Sequence, residues 1–432
     1  GKIKIIILAE NQSSLIKNLN LRHEKHVTGA PAIEDLLRAQ QLMDKTTVRK
    51  TPLLKSRTFS NIAKTNLFLK FEQFQRTGSF KVRGAYSKIN SLTDEQCRSG
   101  VVAASAGNHA QGVAYAAQKR KIRCNIVMPK NASPAKVAAT RSYGANVILS
   151  GDTYDESWRT ACSLSQTNGY SIIHAFDDPV VIAGQGTLGL ELMEDLKDID
   201  EIYLPLGGGG LASGVCIAIK ARRPNVKIIG VESDQFPAMK KSLDEGNLCH
   251  IDSGFSIADG ISVKSPGELT FAICSKYLDD VVTIDDVSIV ETMFMLMERE
   301  KVVVEPAGAA SLAYVISNGK LKSNQNIISI LSGGNIDMYL LGQIVSKGLM
   351  QMGRLIKIFI QLPDKPGALK NIVDKIAELS VNIVQVEHDR LSSNVAAGSA
   401  GVYLSLELEN EKHARKLLDF LKKEKMIFKV VP

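Results

Sequence analysis

The chain has 432 residues, 44% hydrophobic and 23% charged, an ordinary globular composition whose length calls for two or three compact units. Its formal net charge of +8 comes from lysines and arginines interspersed with acids, and only 6% of residues are aromatic. No apolar run approaches the roughly 18 residues of a membrane span, so no nucleic-acid partner and no membrane partner is expected. The six cysteines (Cys97, Cys124, Cys162, Cys216, Cys249 and Cys274) form no CxxC pair and the histidines do not cluster. That excludes a disulfide framework, argues against a metal site, and fits a reducing cytoplasm.

Residues 1–28 read as an extension without an assigned role: the apolar core of KIKIIILAENQSS is only strand length and carries no cleavage signature. From about 65 to 340, short β-rich runs alternate with helix-like stretches, the pattern of an α/β fold with mostly parallel, buried, twisted sheets. Strand VVAAS (101–105) leads into a helix from about His109. Strand IRCNIVM (122–128) precedes a helix near 134–143, and ANVIL (145–149) is a further strand. EIYLPL (201–206) runs through four glycines into a helix over 211–222 and then strand VKIIGVE (226–232). Composition shifts after Gly348, giving a linker at 346–353. Residues 354–432 then show the order β-α-β-β-α-β of a ferredoxin-like unit.

Sheets of this kind bind ligands where strand carboxyl ends meet helix amino ends. Three such junctions stand out. Gly207-Gly208-Gly209-Gly210-Leu211 suits a phosphate, because glycines let a ligand approach backbone N–H groups closely. Ser105-Ala106-Gly107-Asn108-His109 offers a hydroxyl, an amide and helix-terminal N–H groups to a carboxylate, although Ser105 or Asn108 also suits a helix cap and His109 a structural role. Ser332-Gly333-Gly334-Asn335 repeats the logic after NIISIL. The fourth element is Lys81 in GSFKVRG, where Phe80 as an apolar wall and Arg83 as a neighbouring cation would each lower the amine pKa. One group to form an imine, one for a phosphate and one to face a ring nitrogen are the demands of pyridoxal phosphate.

GSFKVRGA, SAGNHAQG, GGGGL, EPAGA and SGGN, in this order, closely resemble the pyridoxal-phosphate enzymes of the tryptophan-synthase-β type, and within them threonine/serine dehydratases, over residues 29–345. The DKPGAL turn of the C-terminal unit resembles an ACT regulatory domain. The resemblance implies a two-lobed catalytic domain with the smaller lobe at roughly 75–180. It makes Lys81 the Schiff-base lysine and catalytic base, with Phe80 near the ring, Asn108 at the ring hydroxyl and Gly207 to Leu211 (Gly207, Gly208, Gly209, Gly210, Leu211) on the phosphate. Ser332 would face the pyridine nitrogen, Glu305 of EPAGA would stand near the cofactor, and Ser105 to His109 would line the substrate carboxylate. It further implies an effector amino acid, isoleucine or valine, bound at Asp364, Pro366, Gly367, Ala368 and Leu369 in a homodimer or homotetramer. Two departures matter. Ala106 stands where racemases of this family carry a serine, and the segment after Glu232 (SDQFPA) lacks the second acid of a divalent-cation site, so no metal is assigned.

Three rivals remain. A serine-preferring dehydratase or serine racemase-like enzyme shares the motifs. A nicotinamide-dependent dehydrogenase would use the glycine loop, with Glu232 on the ribose. An amino-acid sensor with a degenerate catalytic domain is disfavoured because the lysine and every ligand loop are intact.

Overall fold

The computed structural model describes residues 27–318, 321–390 and 395–431, so the expected extension lies almost wholly outside the described residues. In chain order the described strands are β1 (Leu53–Lys55), β2 (Asn66–Phe71), β3 (Val101–Ala104), β4 (Cys124–Met128), β5 (Asn146–Leu149), β6 (Ser171–Ile172) and β7 (Glu201–Pro205). They continue with β8 (Lys227–Ser233), β9 (Asp280–Ile284), β10 (Asn326–Leu331), β11 (Leu355–Pro363), β12 (Asn382–Asp389), β13 (Ser399–Glu407) and β14 (Ile427–Val431).

They form three sheets. The large sheet runs β1-β2-β10-β7-β8-β9, parallel except for β1. The small one is wholly parallel, β5-β4-β3-β6, and falls within residues 75–180. Both are buried on two faces, which is why their strands are nearly continuous apolar runs. The period of two is still visible in where side chains go. Ile202, Leu204, Ile328 and Ile330 pack into one core while Tyr203, Ile327 and Leu331 pack into the core on the opposite face.

Residues 355–431 form an antiparallel sheet, β12-β13-β11-β14, with helices Ala368–Glu378 and Glu411–Lys423 interspersed in the β-α-β-β-α-β order. Ile358, Ile360, Val402, Leu404, Ile372, Ile376 and Leu417 make its core. The expected linker at 346–353 is corrected by the structure. Helix Met338–Gln351 continues through most of it, because Ile344 and Gly348 bury against the preceding unit, with Gly348 tight on Phe294. Only Met352 and Gly353 turn the chain, Gly353 at φ +64, and Arg354 then pairs with Glu298 at 2.5 Å. All six cysteines are free, and no helix of the described residues is long and apolar enough to cross a membrane.

Helix Lys81–Asn90 meets helix Pro179–Asp195 almost backbone to backbone. A Cβ on Gly184 would lie 2.6 Å from the Arg83 carbonyl oxygen and 2.7 Å from Gly84 Cα. We predict that Gly184→Ala destabilises the protein by about 1–3 kcal/mol through overpacking, read as a lowered urea midpoint. Gly342→Ala, inside a helix and facing open space, should be neutral or stabilising. Equal midpoints for the two variants would refute the close crossing.

Candidate functional site

Strands β2, β10 and β7 are neighbours, and their carboxyl ends emit the chain toward Lys81, Ser332 and Gly207 respectively. Sequence-distant motifs thus become one wall. The first two are stitched together: Ser79 and Gly333 pair as an antiparallel bridge, Phe80 N–H donates to the Ser332 carbonyl at 3.1 Å, and Gly334 N–H donates to the Gly78 carbonyl at 2.8 Å. The carboxyl end of β3 brings the fourth motif, Ser105 to His109, from the small sheet.

Lys81 opens its helix. Its Nζ donates to the Ala175 carbonyl at 2.9 Å and lies 5.2 Å from the centre of the Phe80 ring. Burial drives the amine down to about 8, with Glu305 acting in the opposite direction. Arg83 does not supply the expected neighbouring cation, because its own charge is fully engaged elsewhere. The guanidinium has no exposure and donates to both oxygens of Glu72 (2.8 and 2.8 Å) and of Glu191 (2.7 and 2.9 Å).

In the glycine loop every Cβ position is excluded by protein. A side chain on Gly208 or Gly210 would strike Phe176, one on Gly207 would crowd Ile261, and one on Gly209, whose φ is +93, would strike Thr270. Thr270 Oγ1 fastens the loop by donating to the Gly208 carbonyl at 2.6 Å. The N–H groups of Gly207 to Leu211 have no acceptor among the described residues, and helix Gly210–Lys220 begins there without a side-chain cap. Unpaired donors at a helix start form an anion cradle. The glycines therefore serve the packing on one side of the loop and leave its donors open on the other.

Ser332 is buried, yet its hydroxyl has no partner among the described residues and is free for a ligand. Ser105 Oγ accepts from Gly107 N–H at 3.2 Å, Ala106 is half-buried, and the Cβ side of Gly107 faces open space. Asn108 Nδ2 donates to Glu305 Oε1 at 2.6 Å, and its Oδ1 accepts from Asn335 Nδ2 at 2.6 Å. Burial pushes the Glu305 carboxyl up to about 7. His109 departs from the expected ligand-lining role. The residue is 3% exposed, Nε2 bonds the Ile173 carbonyl at 2.9 Å, Nδ1 is buried without a partner among the described residues, and burial pushes the ring down to about 3, so it is a neutral histidine packed in the core. Glu232 is unavailable to a ribose: it is wholly buried, and its carboxylate accepts from Met239 and Lys240 N–H at 2.7 and 2.9 Å. The described residues contain no group of three His, Cys, Asp or Glu side chains able to hold a metal ion. The Asp364 to Gly367 turn is exposed, with Gly367 at φ +88 and Asp364 paired with Arg390 at 3.1 Å, while Ala368 and Leu369 lean on the core of their own unit.

Sequence reasoning misses the segment His174 to Asp178. It supplies the carbonyl against Lys81 and the ring against the glycine loop, and it is held by the His174 Nδ1 acceptor and by Asp177 Oδ1 receiving Thr270 N–H at 3.0 Å. The run HAFDD before Pro179 is its only signal. Asn335 belongs to a motif singled out above, but the sequence assigns it no task.

A family model described as pyridoxal-phosphate dependent enzyme matches residues 45–333. The L-threonine ammonia-lyase of Thermotoga maritima is 44% identical over 387 residues, covering 89% of this chain and 96% of that relative. Among solved structures, the processed form of threonine deaminase isoform 2 from Solanum lycopersicum is similar at a TM-score of 0.69 and 36% identity, over 74% of this chain and 92% of that one. A maize serine racemase is similar at 0.70 and 37%, over 74% of this chain and 99% of that one.

The Lys81 environment gives a pH expectation for the ligand-free protein. An amine with a pKa near 8 is half neutral, and therefore half nucleophilic, at that pH, and its reactivity rises from about pH 7 to 9. Rates of reductive methylation at Lys81, followed by mass spectrometry, should show a midpoint near 8. A midpoint near 10.5, the ordinary lysine value, would remove the depressed amine.

Proposed function

The chain belongs to the pyridoxal-phosphate dependent enzymes, and from that premise we propose that it converts L-threonine to 2-oxobutanoate and ammonia, with L-serine to pyruvate as a second reaction. The observation that carries this reading is Lys81: an amine whose pKa burial lowers to about 8, on a wall whose other loops offer an anion cradle and a hydroxyl without a partner among the described residues. The close relatives named for threonine deamination support threonine as the substrate.

When bound, pyridoxal phosphate supplies the electron withdrawal that makes the α-proton of an attached amino acid acidic. The residues divide the remaining work. Gly207 to Leu211 would hold the phosphate by their open N–H groups, Phe80 would lie against the ring, and Asn108 would meet the ring oxygen with Glu305 behind it. Ser332 would face the ring nitrogen. A neutral hydroxyl there would not hold a proton on that nitrogen as a carboxylate would, which suits loss of the β-hydroxyl, leaving with a proton as water. The helix start at Ser105 to His109 binds the substrate carboxylate through N–H groups. Lys81 Nζ, freed as a neutral amine, would take the α-proton. The enamine so released hydrolyses to the oxo acid and ammonia.

Ala106 has no proton to deliver from the opposite face, so racemisation is not supported. The buried, capping Glu232 gives no support to the nicotinamide reading. For residues 354–432 we propose an ACT-type regulatory unit in which the Asp364 to Leu369 turn binds isoleucine or valine between paired copies in a homodimer or homotetramer. The exposed turn, with its unfilled helix start, supports it.

Lys81→Ala is expected to lower threonine deamination by more than about 10⁴-fold and to remove the yellow colour of the cofactor-loaded protein; retention of either would sink the assignment. A chain lacking residues 354–432 should keep turnover but lose any response to isoleucine and valine shown by the intact chain. A truncated chain that still responds would relocate the effector site to the catalytic unit.

A further inference from the structure

The Asn108 amide has two chemically opposite ends, and the structure fixes which is which. A backbone carbonyl only accepts, so the Thr77 carbonyl at 2.7 Å from Asn335 sets that residue with its NH2 group inward. The second hydrogen of the same Asn335 NH2 then meets Asn108 Oδ1 at 2.6 Å, and Asn108 Nδ2 in turn meets Glu305 Oε1 at 2.6 Å. The relay therefore has one direction, anchored by an obligatory acceptor at one end and a carboxylate at the other.

Glycines of two different motifs make the seats for it. A Cβ on Gly78, whose φ is +73, would fall against Asn335 Oδ1, and one on Gly333 would fall against Glu305 Oε1, both far inside contact distance. Glu305 is held further by its own N–H donating to the Gly333 carbonyl at 3.0 Å. With both neighbours assigned, Asn108 keeps one unengaged Nδ2 hydrogen.

We propose that Asn335 and Glu305 are positioning residues that lock the Asn108 amide so that it presents a donor, and not an acceptor, to the ring oxygen of the cofactor. This rests on the assignment of Asn108 to that oxygen made above. Neither residue needs to touch the cofactor for the effect. An unlocked amide can turn its carbonyl toward an oxygen ligand, which repels it.

The test is a double-mutant cycle on cofactor binding by the apo protein. The dissociation constant for pyridoxal phosphate is measured by fluorescence titration, and the visible absorbance of each loaded protein is followed against pH. Asn108→Ala, Asn335→Ala and Glu305→Leu should each weaken cofactor binding roughly tenfold or more, and Asn108→Ala and Asn335→Ala should move the absorbance midpoint in the same direction. In the Asn108→Ala background, Asn335→Ala should add nothing further, because its effect passes through the missing amide. Additive losses, or an Asn335→Ala protein that binds like the parent, would overturn the relay. An Asn108→Ala protein that binds like the parent would instead overturn the assignment of Asn108 itself. Should Asn335→Ala fail to fold, judged by the apo thermal transition, Asn335→Asp, which keeps the side chain's shape but removes the donor to Asn108 Oδ1, carries the same cycle.

Discussion

Arg83 is the fixed point of the active wall. With no exposure at all, it is gripped by the carboxylates of Glu72, just beyond β2, and Glu191, in helix Pro179–Asp195. Lys70, also fully buried, reaches Glu191 at 2.7 Å and the Thr51 carbonyl at 2.8 Å, so two cations and two anions balance in the interior. Burial works against the guanidinium charge, but the two carboxylates outweigh it and hold the group above its usual range. Such clusters are weak sources of net stability, since desolvation offsets most of the attraction, yet removing one partner costs about 3–5 kcal/mol by stranding the rest. Their value is geometric. Arg83 lies two residues after Lys81, so fixing it fixes the first turn of the helix from which the amine projects.

That geometry also explains why Lys81 titrates where it does. A lysine beside an unpaired arginine would be depressed by repulsion, and its pKa would respond to salt. Here Arg83 is neutralised by its carboxylates, and both nearby histidines are held down by burial, His109 to about 3 and His174 below its usual value. What remains is desolvation opposed by Glu305, a balance set by packing and largely insulated from the solvent.

The parts legible in the sequence are those encoded locally. Apolar runs at strand length, glycines at strand ends and the β-α-β-β-α-β order reveal the architecture, with boundaries displaced by one or two residues: the strand expected over 122–128 begins at Cys124, and the helix expected over 211–222 ends at Lys220. What fails are statements about partners. Arg83 and Glu191 are 108 positions apart, and Asn108 and Asn335 are 227 apart. No local pattern says which carboxylate will meet which cation, or that His109, next to a ligand loop, will turn its ring to the Ile173 carbonyl. The linker fails for a related reason: the composition shift after Gly348 reads as a break, while the burial of Gly348 against Phe294 keeps the chain helical to Gln351.

The glycines join the two scales. A glycine run is visible in sequence as permission for a tight backbone, but the sequence does not say who uses the permission. In the Gly207 to Gly210 loop the users are Phe176, Ile261 and Thr270 on one side, with N–H donors on the other that have no acceptor among the described residues. In GSFK and SGGN the users are Asn335 and Glu305. The motif glycines are thus constrained by the protein itself. A side chain at Gly78 or Gly333 would disturb the site by evicting a neighbour, Asn335 or Glu305.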